Sequence, residues 1–143
     1  DGVQSEPFNP LAAALALGAT FVARAFAGNG EQTKEIIKRA IRHKGYALVD
    51  IFQPCVSFNH VHTYKWFREN TYTLEGHDEG DFDGAMKLAL LREGPFPLGV
   101  LYRREGLPPF EETLAAYRKD RRPLFEREAP RKAASELLAA MGR

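Results

Sequence analysis

Ala47-Leu48-Val49-Asp50-Ile51-Phe52-Gln53-Pro54-Cys55-Val56-Ser57-Phe58-Asn59 is the stretch whose reading decides the fold. Its first six residues are too few for an ordinary helix and β-branched enough for a buried strand. Pro54 has no backbone donor and turns the chain out of the ladder. Cys55, the one cysteine of the 143 residues, follows at once. In α/β folds reactive groups collect beyond the carboxyl ends of parallel strands, so the thiol stands where chemistry is usually placed.

Upstream of it, residues 31–43 carry Ile36, Ile37, Ala40 and Ile41 at helical spacing with lysine and arginine elsewhere, after a Gly28-Asn29-Gly30 turn and before the stop at Gly45. Residues 20–24 read as a short core strand. Strand, helix and strand with tight joints imply a parallel crossover, hence an α/β fold with a partial parallel sheet and flanking helices. Further back, Asn9 as N-cap and Pro10 at the first helical position open a helix over residues 11–17, which Gly18 ends. That helix is apolar nearly all round, so it is buried between layers or at a subunit interface.

Downstream, residues 64–72 predict a short aromatic helix. Residues 81–92 predict another, with Phe82, Met86, Ala89 and Leu90 on one face. Residues 96–102, after Gly94-Pro95, read as a further strand. The α/β part is expected over residues 1–105. Residues 106–143 form a tail punctuated by Pro108-Pro109 and Pro123, with helices near 111–117 and 131–141.

A chain that is 44% hydrophobic and 27% charged has the composition of a soluble globular domain. Twenty basic against nineteen acidic residues argue for neither a nucleic acid nor a membrane surface as the partner. The cluster Arg118-Lys119-Asp120-Arg121-Arg122 is broken by an aspartate and reads as solvated surface. No apolar run approaches the roughly 20 residues that span a bilayer, and the N-terminus lacks a signal-peptide pattern. One cysteine cannot form an internal disulfide, so a reducing cytoplasm is the expected location. The chain begins at Asp1, without methionine, and enters patterned sequence within a few residues, as if cut from something longer.

By residue type alone Cys55 is a core hydrophobe, a nucleophile or a metal ligand. His60 and His62 follow closely, but no orienting acid stands at a recognisable spacing, and in an extended His60-Val61-His62 the two rings point to opposite sides. A third and fourth metal ligand are not apparent. Asn59 either positions a substrate or cofactor through its amide or makes an Asx-turn that shapes the loop. Phe58, Tyr64, Trp66 and Phe67 either shield a redox centre from water or are core. Residues 5–10 either close over a cofactor or only lead into the first helix.

Gln53-Pro54-Cys55-Val56-Ser57-Phe58-Asn59, followed by Thr63-Tyr64-Lys65-Trp66-Phe67, resembles the β subunit of the thiamine diphosphate-dependent 2-oxoacid:ferredoxin oxidoreductases. Ser5-Glu6-Pro7-Phe8-Asn9-Pro10 with Ala14-Leu15-Ala16-Leu17-Gly18-Ala19-Thr20-Phe21-Val22-Ala23-Arg24 is similar to the segment that precedes it in that family. Pro97-Leu98-Gly99-Val100-Leu101-Tyr102 and Pro109-Phe110-Glu111-Glu112 are similar to its final strand and tail. The resemblance covers most of residues 5–125.

The resemblance implies the C-terminal part of a thiamine diphosphate-binding α/β fold with an extended helical tail. The whole enzyme would decarboxylate a 2-oxoacid on thiamine diphosphate and Mg2+, pass electrons through a [4Fe–4S] cluster to ferredoxin, and transfer the acyl group to coenzyme A. An α subunit would be its partner in a heterodimer. By the same resemblance Cys55 matches the last of four cluster thiolates, a ligand type such clusters require. The other three, a Gly-Asp-Gly motif and a metal-binding asparagine would lie upstream. No Gly-Asp-Gly occurs here, and Glu79-Gly80-Asp81-Phe82-Asp83-Gly84 has the wrong spacing. The chain alone is therefore expected to hold no cluster and to be inactive. The rival reading is a non-catalytic α/β interaction module that binds a partner through its proline-rich tail.

Overall fold

Asn9 starts the folded chain as its sequence predicts: its side-chain oxygen accepts from Ala12 N at 3.0 Å, and its amide donates to Ala89 O at 2.8 Å, tying two helices together. The computed structural model describes residues 4, 7–118, 120–128 and 131–141, the last range by backbone alone at 131–134 and 137. Ser5, Glu6 and Lys119 of the segments singled out above lie outside the described residues. Two compact units are present, Asp1–Pro109 and Phe110–Arg143.

In the first unit the order is α1 (Pro10–Ala16), β1 (Phe21–Phe26), α2 (Gly30–Arg42), β2 (Ala47–Phe52), α3 (Tyr64–Glu69), β3 (Thr71–Thr73), α4 (Phe82–Ala89) and β4 (Phe96–Arg103). Gly18, with φ +85°, supplies the left-handed turn that ends α1. The four strands lie in the order β2-β1-β4-β3. As expected, β1 and β2 are parallel around α2; β3 and β4 are parallel around α4. The seam between these two crossover units, β1 against β4, is antiparallel, so the sheet is mixed rather than wholly parallel.

Alternation along β1 gives the sheet two cores. Phe21, Ala23 and Ala25 face α2 and pack with Ile36 and Val100. Val22 faces the other way, into Leu11, Leu15, Ala85, Ala89 and Leu101. The apolar α1 thus buries one face, Leu11, Ala14 and Leu15, against its own chain, and leaves Ala16 and the following Leu17 exposed.

Four expectations need correction. The strand β2 was expected to be buried, but it is the outermost strand and only half-buried. In α2, Ile36 and Ala40, four residues apart, pack on the sheet, whereas Ile41, some 140° further round the helix, is 78% exposed. In α4 the small side chains Ala85 and Ala89 make the close contact, and Phe82 and Leu90 turn outward. The aromatic helix stops at Glu69 because Thr71–Thr73 is drawn into the sheet beside Phe96, Pro97 and Leu98.

The second unit contains α5 (Phe110–Thr113), two single 3-10 turns at Ala115–Tyr117 and Leu124–Glu126, and α6 (Arg131–Met141). The helix expected near 111–117 is therefore split into α5 and a 3-10 turn. Among the described residues no helix is long and apolar enough to cross a membrane.

Candidate functional site

The ladder between β1 and β2 ends at the pair Phe26 and Phe52, and Pro54 then sits buried as the chain leaves the sheet. Cys55 follows as an exposed free thiol. The loop is held by its own hydrogen bonds. Asn59 N donates to Cys55 O at 2.9 Å, and Asn59 Oδ1 accepts from Val61 N and His62 N at 3.0 and 2.9 Å. Asn59 therefore makes the Asx-turn. With its oxygen so occupied, its amide nitrogen faces His62 Nδ1 at 3.2 Å as a donor. The His62 ring meets Trp66 edge-on at 4.5 Å, and Thr63 caps α3 by accepting from Trp66 N at 3.2 Å.

These contacts order the backbone and leave apolar side chains uncovered. Phe58 is 91% exposed, and Val56 and Val61 are exposed beside it. Phe58 is thus not part of the core. Tyr64, Trp66 and Phe67 do pack: Phe67 stacks at 4.9 Å on Phe52 and 5.5 Å on Phe26, and Trp66 stands at 89° to Phe67. They form a lid of rings over the carboxyl end of the β1–β2 ladder.

Beneath those rings lies a pair that sequence reasoning missed. Arg24, only 7% exposed, donates from Nε to Asp50 Oδ2 at 2.9 Å across the β1–β2 ladder, where the two residues are register partners. Its guanidinium lies 4.6 Å from the Phe52 ring centre and 5.7 Å from that of Phe96, within cation–π range. Arg24 Nη1 is buried with no hydrogen-bond partner among the described residues. The sequence carried only half of the signal: each of two otherwise apolar strands has one charge, of opposite sign, and the register that makes them partners comes from the fold.

A second polar region lies against α2. Glu79 accepts from Arg39 at 2.6 Å and from Arg103 Nε at 3.0 Å, and Arg103 also reaches Glu105 at 2.8 Å. These residues, with His77, line a cleft of about 520 Å3. Nearby, His43 meets Thr20 Oγ1 at 2.8 Å, and burial holds its pKa below the usual value despite the opposing pull of Glu105.

The donor set bears directly on cofactors. Among the described residues no group of three or more potential metal ligands occurs, and no side chain hydrogen-bonds the Cys55 thiol. A cysteine–histidine nucleophile is thus not assembled: His62 is engaged by Asn59 and Trp66. An exposed thiolate donor fits one corner of an iron–sulfur cluster and no more. Nor does the Glu79–Gly84 string form a diphosphate cradle, because Asp81 Oδ1 caps α4 by accepting from Gly84 N at 3.0 Å.

Comparison with known proteins places this geometry. Residues 55–119 match the family described as the C-terminal part of the pyruvate ferredoxin oxidoreductase beta subunit, beginning at Cys55 and continuing past Pro109 into the second unit. The 2-oxoacid:ferredoxin oxidoreductase subunit beta of Saccharolobus solfataricus is 35% identical over 119 residues, covering 75% of this chain and 39% of the relative. The 2-oxoacid:ferredoxin oxidoreductase 2 subunit beta of Aeropyrum pernix is 42% identical over 118 residues, covering 74% and 38%. The chain matches the C-terminal part of the β subunits of the 2-oxoacid:ferredoxin oxidoreductases. A chain of a solved 2-oxoglutarate:ferredoxin oxidoreductase from Magnetococcus marinus, with 2-oxoglutarate, coenzyme A and succinyl-CoA bound, shares the fold: the TM-score is 0.75 at 37% identity, over 96% of this chain and 46% of that one. The chain thus spans about two fifths of the length of its curated β-subunit relatives.

Proposed function

We propose that this chain forms part of the β subunit of a cytoplasmic 2-oxoacid:ferredoxin oxidoreductase and works only within the assembled enzyme. The reaction would convert a 2-oxoacid, coenzyme A and two oxidised ferredoxins into acyl-CoA, carbon dioxide, one proton and two reduced ferredoxins. The observation that carries this reading is Cys55, an exposed thiol just past the end of β2 and the first residue of the family match.

When bound, thiamine diphosphate with Mg2+ supplies carbanion chemistry and the [4Fe–4S] cluster supplies one-electron transfer. In this chain Cys55 would hold one iron of that cluster, the other three thiolates being supplied from outside these residues. Pro54 and the Asn59 turn fix the direction in which the thiol faces, while Tyr64, Trp66 and Phe67 exclude water from the sheet end behind it. The α subunit is the companion chain and ferredoxin the electron acceptor. The family match supports this reading over a free-standing interaction module.

The test uses the full β subunit carrying this sequence, purified with its α subunit. The wild-type complex should contain iron and reduce ferredoxin with a 2-oxoacid and coenzyme A in a thiamine diphosphate-dependent way. Cys55→Ser should lose iron and the low-temperature paramagnetic resonance signal of the reduced cluster, because a hydroxyl is a hard and far less acidic ligand. The 143-residue chain alone should show neither. Unchanged iron and signal in Cys55→Ser would overturn the ligand assignment.

A further inference from the structure

The charge buried under the aromatic lid is only partly answered by its neighbours. Arg24 donates from Nε to Asp50 Oδ2 at 2.9 Å, but its Nη1 is buried with no acceptor among the described residues. The two partners are also shielded unequally, the Arg24 side chain keeping 8% of its exposure and that of Asp50 23%. Water therefore screens the carboxylate more than the guanidinium, and the pair presents an excess of positive charge to the protein around it. As a stabilising device such a pair has little to recommend it, because apolar residues of similar volume hold two strands together as well.

The medium around the guanidinium is apolar on the side of the lid. Its centre lies 4.6 Å from the Phe52 ring and 5.7 Å from that of Phe96. Phe52 meets Phe67 at 4.9 Å, Phe67 meets the His62 ring at 6.4 Å, and His62 Nδ1 faces the Asn59 amide at 3.2 Å. Asn59 N in turn donates to Cys55 O. A contiguous run of side chains, with no carboxylate, lysine or arginine among them, thus leads from the buried cation to the loop that carries the thiol. The backbone also limits the separation, since the five residues from Asp50 to Cys55 span at most about 18 Å. Across packed protein a charge is felt over such a range, whereas in salt water it is screened out.

Reduction adds one negative charge to a cluster that four thiolates already make anionic, so fixed charges nearby help to set its potential. A guanidinium suits this task because it keeps its charge at every pH at which proteins are folded. We infer that Arg24 raises the reduction potential of the cluster ligated at Cys55, and that Asp50 sets how much of its charge is felt there. Arg24 acts through its field, without contact to the reacting atoms, and is a positioning residue rather than a catalytic one. This rests on the β-subunit reading.

The test uses the full β subunit carrying this sequence, purified with its α subunit, at a fixed pH of about 8.5, where free histidine is neutral. The midpoint potential is read from the low-temperature paramagnetic resonance signal during titration with dithionite, alongside iron content. Arg24→Gln should lower the potential, because a positive charge is lost. Asp50→Asn should raise it, because the charge that offsets Arg24 is lost. The double variant should fall between the two. A structural role cannot give these opposite signs: a loosened sheet end admits water in either single variant and shifts both potentials the same way. Shifts of the same sign, or an unchanged potential in an iron-loaded Arg24→Gln enzyme, overturn the inference and leave the β-subunit reading standing. If Arg24→Gln fails to assemble, Asp50→Asn decides alone: a raised potential supports the inference, and an unchanged or lowered one overturns it. A wild-type complex without iron overturns the β-subunit reading and this inference with it.

Discussion

The two ends of the β1–β2 ladder are built from similar residues and treated in opposite ways. Around Val22, the side chains of Leu11, Leu15, Ala85, Ala89 and Leu101 are enclosed by the chain's own helices. Past Phe52, the loop from Cys55 to His62 satisfies its backbone through Asn59 and Thr63 but leaves Val56, Phe58 and Val61 in water. The first end needs nothing further to be stable. The second is ordered without being covered, which is the pattern of a surface made to be met by something else. Apolar character in sequence therefore does not separate fold from function here; the presence or absence of a packing partner does.

The largest effect should come from the enclosed end. Leu101 is fully buried between α1 and α4, so Leu101→Ala should cost about 3 kcal/mol in unfolding free energy through lost transfer and a residual cavity. Urea denaturation of the 143-residue chain followed by circular dichroism measures it. A cost under about 1 kcal/mol would mean that this core is loosely packed and that the contrast with the loop is false.

Between the two ends lies the Arg24–Asp50 pair. Arg24→Gln should cost about 2–3 kcal/mol, less than for a fully enclosed pair because the Asp50 side chain keeps 23% of its exposure. The double variant Arg24→Gln with Asp50→Asn should recover part of that loss, since no lone carboxylate is then left beneath the rings. If the double variant is as unstable as the sum of the single ones, the pair does not interact and Arg24 serves only through its stacking on Phe52 and Phe96.

What was legible in the sequence follows the range of the forces involved. Asn9-Pro10, Gly18 and the Ala47–Phe52 strand with its exit at Pro54 act within a few residues, and each stands where local pattern put it. The parallel pairing of β1 and β2 followed from one tight crossover. By contrast, Thr71–Thr73 is a strand only because β4, some 25 residues later, lies beside it. A three-residue strand has no pattern of its own to read. The inward face of α2 failed at Ile41 because that residue lies some 140° round the helix from Ile36, off the face that meets the sheet, and half-buried β2 failed because nothing local marks an edge. In the site, Cys55 was visible as the sole cysteine after a strand stop, whereas Arg24 and Asp50 required the register that pairs them.

The smallest effect on the fold should come from Phe58, and that smallness is what makes the comparison informative. At 91% exposure its ring has almost no contacts to lose, so Phe58→Ser should change the unfolding free energy by no more than about 0.5 kcal/mol. The backbone bonds of the loop run through Asn59, Val61 and His62 and do not involve the Phe58 side chain. Binding of a hydrophobic dye to the folded 143-residue chain should nevertheless fall, because one of the largest exposed apolar side chains of the first unit is removed. The two readouts separate the possibilities. Lost stability would show that Phe58 packs in solution and belongs to the core, whereas unchanged stability with unchanged dye binding would show that the loop presents no apolar surface. Reduced dye binding at constant stability is the expected result, and it would locate the uncovered surface on the loop that carries Cys55.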